Sequence, residues 1–294
     1  MATPKVGFLG LGAIGRPMAR HLVKKFDGMV WNRSADKAKS FAAEFGSQAA
    51  ASAADVIKWA EVIVICMPTS REVREVVERE ENGWRKGQLL IDCTSGDPAS
   101  GRATAAWLKA KGVGYVDAPV SGGTSGAEAG KLTVMCGGEK ADFDRAKLFI
   151  EAFAGKIVHM GPVGTGHAVK AVNQVLLAIN IQAAGEGLAA LVKLGVPAAA
   201  ALEVLNGSSG RSSVTENLIA QRVVTRAYPR TFRLALLDKD VGIGLQLLKE
   251  TGVPSEAAAG AKEFTARTRK ALGEEADHVE AIREIERAAG VEIR

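Results

Sequence analysis

The chain has 294 residues, 47% hydrophobic and 24% charged, an ordinary globular composition that excludes disorder, collagen and coiled coil. At ~150 residues per domain, that length suggests about two domains. The 38 Lys and Arg against 33 Asp and Glu leave +5, below nucleic-acid charge density and as well suited to an acidic small molecule as to a polyanion.

Short β-rich runs alternate with helical patterns through the first part of the chain. Strands are predicted at residues 5–9, 29–31, 62–67, 89–92, 115–117, 132–136 and 157–160. Helices are predicted between them at 14–25, 36–45, 71–81, 102–111 and 141–153. Apolar strands with intervening helices argue for a parallel sheet covered on both faces, a doubly wound α/β domain of Rossmann type over residues 1–161.

After the Gly-rich stretch 161–166 only helical patterns follow, at 168–193, 198–205, 214–224, 232–250, 255–271 and 276–288. Pro197 and Pro254 mark helix starts, and Gly195 and Gly252 lie just past helix ends. Residues 162–294 therefore read as an all-α domain. Residues 168–192 carry only Lys170 and Glu186 as charges, but Asn173, Gln174, Asn180 and Gln182 keep them short of the ~18 unbroken apolar residues of a membrane span. Such a helix is too apolar for one small domain to cover, so a homodimer or homotetramer is expected.

The opening MATPKVGFLGLG lacks the basic and apolar blocks of a signal peptide. Cys66, Cys93 and Cys136 are odd in number and lie outside metal-ligand spacing. A reduced cytoplasmic protein is expected, with no membrane and no nucleic acid among its partners.

Gly10-Leu11-Gly12-Ala13-Ile14-Gly15 follows the first strand and opens the first helix, the context that GxGxxG requires to bind a dinucleotide. Gly10 suits the tight turn, Gly12 the backbone's approach to pyrophosphate, and Gly15 close packing of helix on strand. At the end of the second strand an NAD site wants an acid for the ribose 2′-OH. Asn32-Arg33-Ser34 supplies none; Arg33 can pair with a 2′-phosphate, and Asn32 and Ser34 can donate to it. The cofactor expected is NADP, with NAD still open. Met67 and Pro68, then Thr94, follow two further strands and are expected to line the nucleotide and nicotinamide.

Two further segments are unusual. In Asp117-Ala118-Pro119-Val120-Ser121-Gly122-Gly123, the N–H groups of Ser121, Gly122 and Gly123 either bind a carboxylate as an anion nest or form a plain Gly-rich connection. Lys170 lies among Ala168, Val169, Ala171 and Val172, with Asn173 and Gln174 at i+3 and i+4 on its face. It is either buried, where desolvation eases loss of its proton and suits it to acid/base work, or it reaches out to solvent. His21, His159, His167 and His278 show no metal-ligand spacing and read as ordinary residues; no metal is expected.

GLGAIG, DAPVSGG with the Gly-rich helix after it, and GTGHAVKAVNQ occur in the order found in the β-hydroxyacid dehydrogenase family, which the whole chain resembles. NGSSGRS (206–212) and Leu237-Asp238-Lys239-Asp240 resemble the 3-hydroxyisobutyrate dehydrogenase branch. The resemblance implies a 6-phosphogluconate dehydrogenase-like fold and a nicotinamide-dependent oxidoreductase. It makes Lys170 the catalytic acid/base, and gives the substrate carboxylate to Ser121, Gly122 and Gly123. Asn173 or Gln174 then holds the substrate's hydroxyl or carboxylate, Thr94 contacts the cofactor, and Lys239, with Asp240 beside it, approaches the nicotinamide. Oxidation of 3-hydroxyisobutyrate to methylmalonate semialdehyde is the first reaction implied. NADPH-dependent reduction of glyoxylate, succinic semialdehyde or tartronate semialdehyde fits Asn32-Arg33-Ser34 better. A non-catalytic scaffold, as in relatives lacking the Lys, is disfavoured by Lys170.

Overall fold

Strand β1 (Lys5–Leu9) is buried at every position but its first, so it needs apolar cover on both faces. In the computed structural model, which describes residues 3–294, that cover comes from helices on either side of a nine-stranded sheet. Helix α1 (Gly15–Val23) leads to β2 (Asp27–Trp31), α2 (Ala35–Phe45) and β3 (Gln48–Ala49) on one side of β1. Then α3 (Ala53–Trp59) crosses to β4 (Val62–Ile65) on the other side, and α4 (Ser70–Arg79), β5 (Leu89–Asp92), α5 (Pro98–Lys109) and β6 (Gly114–Asp117) follow. The order is β3-β2-β1-β4-β5-β6, parallel throughout. Alternate side chains feed two cores: Val6, Phe8, Val64 and Ile91 one face, Leu9, Ile63, Ile65 and Leu90 the other. The order reverses between β1 and β4, the switch point outside whose strand ends α/β sheets bind their ligands.

Past β6 the parallel pattern stops. The two-residue β7 (Val120–Ser121) and α6 (Gly123–Ala129) lead to β8 (Leu132–Gly137), which runs antiparallel to both β6 and β7. Helix α7 (Lys140–Ile150) then leads to β9 (Ala154–Gly161), parallel to β8. The predicted parallel sheet is thus correct through β6 and incomplete beyond it. The pattern also omits β3, α3 and β7, which have two, seven and two residues. The start of α3 nevertheless carries a signal: Ser52 and Asp55 form a reciprocal capping box.

Helix α8 (Thr165–Lys193) is followed by α9 (Ala198–Asn206), a wide helix (Val214–Val223), α10 (Leu234–Glu250), α11 (Glu256–Leu272), a 3₁₀ turn (His278–Ala281) and α12 (Ile282–Ala289). The wide helix closes with Val224 N–H donating to the carbonyl of Ile219, five residues back. Val175, Ile181, Leu188, Val241, Phe264 and Ile282 are part of a separate core here. The chain divides into compact units after Lys170, so the start of α8 counts with the sheet unit, whereas the sequence places the boundary at residue 161.

Candidate active site

Between β1 and α1, Gly10 holds φ +102° and donates its N–H to the Trp31 carbonyl at 2.9 Å. A side chain is impossible there, because its Cβ would come within 2.3 Å of the Cys66 carbonyl oxygen. At Gly15 a Cβ would lie 2.0 Å from the Gly10 oxygen, which is how closely helix meets strand. Above Gly12 there is open space for 4 Å, and Gly12 and Ala13 are exposed. Ile14 caps α1 with no side-chain hydrogen bond, and the first turn holds no acid. Unsatisfied N–H groups therefore face open space at a helix N-terminus, which fits a pyrophosphate.

Asn32 braces this loop. Its Oδ1 accepts the Leu11 N–H at 3.0 Å and its Nδ2 donates to the Ser34 carbonyl at 3.2 Å. Arg33 and Ser34 are exposed, and Ser34 caps α2 without using its hydroxyl. Beyond β4 and β5, Met67 N–H donates to Thr94 Oγ1 at 3.0 Å, and Thr94 N–H donates to Asp92 Oδ1 at 3.0 Å. Thr94 is only 1% exposed, a tie between two strand exits, while Met67 is half-buried and Pro68 exposed.

The loop after β6 takes its shape from two successive left-handed glycines, Gly122 at φ +132° and Gly123 at +63°. Ser121 is half-buried and both glycines are exposed, with open space around the position of a Gly123 Cβ. The helix that follows is pinned to α1: His21 Nε2 lies 3.1 Å from the carbonyls of both Ala127 and Glu128.

Asp117, buried at the end of β6, caps the start of α8. Its Oδ1 accepts the Gly164 N–H at 2.7 Å and its Oδ2 the His167 N–H at 2.9 Å. A carboxylate there also meets the positive end of the helix dipole. Tyr115 donates its hydroxyl to Asp92 Oδ2 at 3.0 Å, and His167 Nε2 stands 3.7 Å from that same oxygen. Burial pushes the Asp117 carboxyl up, against the opposing pull of His167 and the two N–H groups. Burial favours neutral His167, but Asp92 and Asp117 outweigh it and raise its proton affinity. One turn further along α8, Lys170 is 8% exposed, so the reading in which it reaches solvent is excluded.

In the second unit, Asn173 Nδ2 donates to Gln174 Oε1 and Gln174 Nε2 to Asp240 Oδ2, each at 3.1 Å. Lys239 Nζ lies 2.8 Å from Asp240 Oδ1, an ion pair off-line for a hydrogen bond.

A family pattern described as the NAD binding domain of 6-phosphogluconate dehydrogenase matches residues 5–161. A second, described as NAD-binding of NADP-dependent 3-hydroxyisobutyrate dehydrogenase, matches residues 164–285. The chain belongs to the β-hydroxyacid dehydrogenase family. It is a nicotinamide-dependent oxidoreductase acting on a CH–OH group. The 2-(hydroxymethyl)glutarate dehydrogenase of Eubacterium barkeri is 36% identical over 273 residues, covering 88% of this chain and 87% of its own. The mitochondrial 3-hydroxyisobutyrate dehydrogenase of Homo sapiens is 35% identical over 260 residues, covering 85% and 77%. Among solved structures, the 3-hydroxyisobutyrate dehydrogenase of Mycobacterium tuberculosis with L-serine superposes at a TM-score of 0.89 and 29% identity, over 97% and 99% of the chains.

In this dehydrogenase the glycine loop, Arg33, Ser34, Met67, Pro68, Thr94, Ser121–Gly123 and Lys170 all fall in the sheet unit. Asn173, Gln174, Lys239 and Asp240 fall in the helical unit. The sequence reading misses the bracing role of Asn32 and the buried group Asp92, Tyr115, Asp117 and His167. His167, read from the sequence as an ordinary residue, is a fully buried imidazole with Nε2 3.7 Å from Asp92 Oδ2. The available signal was two aspartates at the ends of buried strands, positions where a charge needs a partner.

Proposed function

We propose that this enzyme transfers hydride between NADP(H) and the hydroxyl carbon of a small β-hydroxy acid, 3-hydroxyisobutyrate first, with Lys170 moving the proton. The observation that carries the reading is a lysine 8% exposed on a helix whose start is capped by Asp117, in the same unit as the open glycine loop. Gly12, Ala13 and the α1 N-terminus would hold the pyrophosphate, and Arg33 with the uncommitted Ser34 hydroxyl a 2′-phosphate. A bound nicotinamide supplies the two-electron acceptor or donor. Ser121, Gly122 and Gly123 hold the substrate carboxylate, which aligns its C–H and hydroxyl for reaction. On oxidation, neutral Lys170 takes the hydroxyl proton as the carbon gives up hydride and the C–O bond becomes a carbonyl. On reduction, protonated Lys170 returns it.

Support for NADP is twofold: no acid stands at the end of β2, and the second family pattern describes an NADP-dependent enzyme. The Asn32-Arg33-Ser34 sequence also favours a second reading, reduction of glyoxylate or a semialdehyde by NADPH. The 2-(hydroxymethyl)glutarate relative speaks for substrate variety within the family. The free thiols of Cys66, Cys93 and Cys136 support a reducing compartment, which we take to be the cytoplasm.

Steady-state turnover with each cofactor against 3-hydroxyisobutyrate, serine, glycerate, glyoxylate and succinic semialdehyde tests the reading. NADP-linked turnover fastest with 3-hydroxyisobutyrate is expected. Preference for glyoxylate or succinic semialdehyde would install the reductase reading, and cofactor binding without any turnover would overturn both.

A further inference from the structure

Asp92 ends β5, is 2% exposed, and divides its two oxygens between two parts of the sheet unit. Its Oδ1 accepts the Thr94 N–H at 3.0 Å, and Thr94 Oγ1 accepts the Met67 N–H at 3.0 Å. Its Oδ2 accepts the Tyr115 hydroxyl at 3.0 Å and faces His167 Nε2 at 3.7 Å. We infer that Asp92 and His167 are positioning residues, a pair that holds the loop carrying Thr94 in register with the start of α8 and so sets where Lys170 stands. The inference rests on proton transfer by Lys170 and adds what fixes that lysine; every residue in it falls in the sheet unit.

Two glycines make room for the fully buried imidazole. A Cβ at Gly96, two residues after Thr94, would come within 2.9 Å of His167 Cε1, and one at Gly101 on α5 within 2.9 Å of Cδ2. The ring is thus clamped between that loop and α5, while its backbone N–H is tied to Asp117 at 2.9 Å. The loop is held from its other side by Ser70 Oγ, which accepts the Asp97 N–H at 2.8 Å. Tyr115 gives its hydrogen to Asp92, so its oxygen, 3.5 Å from Nε2, is left as an acceptor, as is Asp92 Oδ2. Nε2 therefore carries a hydrogen, and Nδ1 has no partner among the described residues. An apolar side chain would fill this space without burying two ring nitrogens, so what the imidazole adds is an N–H aimed at Tyr115 and Asp92. Lys170 follows three residues later on the same helix, about one turn on, so a displaced ring displaces the lysine.

The test uses the full-length chain with NADP(H) and the hydroxy acid that wild type turns over best, with kcat, KM, cofactor Kd and Tm measured for each variant. His167→Leu keeps the volume and removes the N–H. It should lower kcat about 10- to 100-fold, the scale of a misplaced reacting group, with cofactor Kd within about 2-fold. His167→Gln returns an N–H near the position of Nε2 and should recover to within about 3-fold of wild type. A role in packing alone predicts the reverse order, leucine above glutamine. Asp92→Asn keeps the shape but offers one acceptor in place of two, so either Thr94 or the Tyr115 and His167 side loses its partner. It should lower kcat at least about 10-fold, and adding His167→Leu to it should cost less than about 3-fold more, because both break one link. The inference is overturned if His167→Leu stays within about 2-fold of wild type, if His167→Gln is no better than His167→Leu, or if the two losses multiply. Should His167→Leu fail to fold, Asp92→Asn decides alone, and a kcat within about 2-fold of wild type overturns the inference. Lys170→Ala measured alongside separates the two claims. Near wild-type turnover there would bring down the proton-transfer reading and this inference with it, whereas a large loss there beside an unaffected His167→Leu would bring down this inference alone.

Discussion

Arg33 and Ser34 hold the residue-scale argument for the cofactor, because an exposed guanidinium and an uncommitted hydroxyl stand together at the end of β2. Arg33→Asp would set a carboxylate against a 2′-phosphate and offer the ribose 2′-OH an acceptor. The ratio of kcat/KM for NADP to that for NAD should fall at least about 10-fold, as loss of one charge-assisted hydrogen bond implies. An unchanged ratio, measured with one saturating substrate, would sink the cofactor assignment. Lys170 stands out as a candidate in the sequence because a charge inside an apolar run is conspicuous beside its own neighbours, but that run alone does not decide between burial and solvent. The bracing role of Asn32 and the buried contacts of Asp117 and His167 were not legible there, because their partners lie far along the chain: Leu11 for Asn32, Gly164 for Asp117, Asp92 for His167. Local patterning carries no information about pairs that only the closed sheet brings together.

At the scale of elements, Asp117 ties the end of β6 to the start of α8, one turn before Lys170. Asp117→Asn keeps the shape but removes the charge and one acceptor from the helix cap. It should cost about 0.5–2 kcal/mol, read as a lowered Tm, and lower kcat more than cofactor affinity. Equal losses in both would count against a role in holding Lys170. In the helical unit, Asp277 accepts the N–H groups of Thr231, Phe232 and Val279 and lies against His278. Burial alone would raise its carboxyl, but His278 and the N–H groups hold it far below the usual range. Its contribution is therefore complete above the unfolded carboxyl value near ~4 and lost as pH falls below that. Asp277→Asn should lower Tm at pH 7 and weaken its dependence on pH below about 4; an unaltered acid limb would contradict the assignment. Long elements such as α8 and α10 were readable because many periodic positions agree. The two-residue strands β3 and β7 offer too few positions to show a period, and the widening over 214–223 leaves helical composition unchanged.

At the scale of the whole molecule, two compact units and their helical or sheet character were readable from where strand patterns stop. The sequence also leads to the expectation that a second subunit covers α8. Its most apolar 18-residue window has a mean hydropathy of 1.7, long and apolar enough to cross a membrane by length and composition, yet only 33% of it is buried. Val169, Val172 and Leu176, at i, i+3 and i+7 along one side, are exposed, Leu176 by 55%. We propose that a second copy of the chain covers this stripe. Light scattering should give a multiple of 30.8 kDa, and Leu176→Glu should shift the mass toward one chain; a wild-type monomer would refute it. The account as a whole stands on proton transfer by Lys170. Its most direct test is the turnover of 3-hydroxyisobutyrate with NADP by Lys170→Ala beside wild type, with cofactor Kd measured on both. The prediction is a kcat lower by about 10²–10⁴-fold with cofactor affinity retained, and a near wild-type kcat in the variant would contradict it.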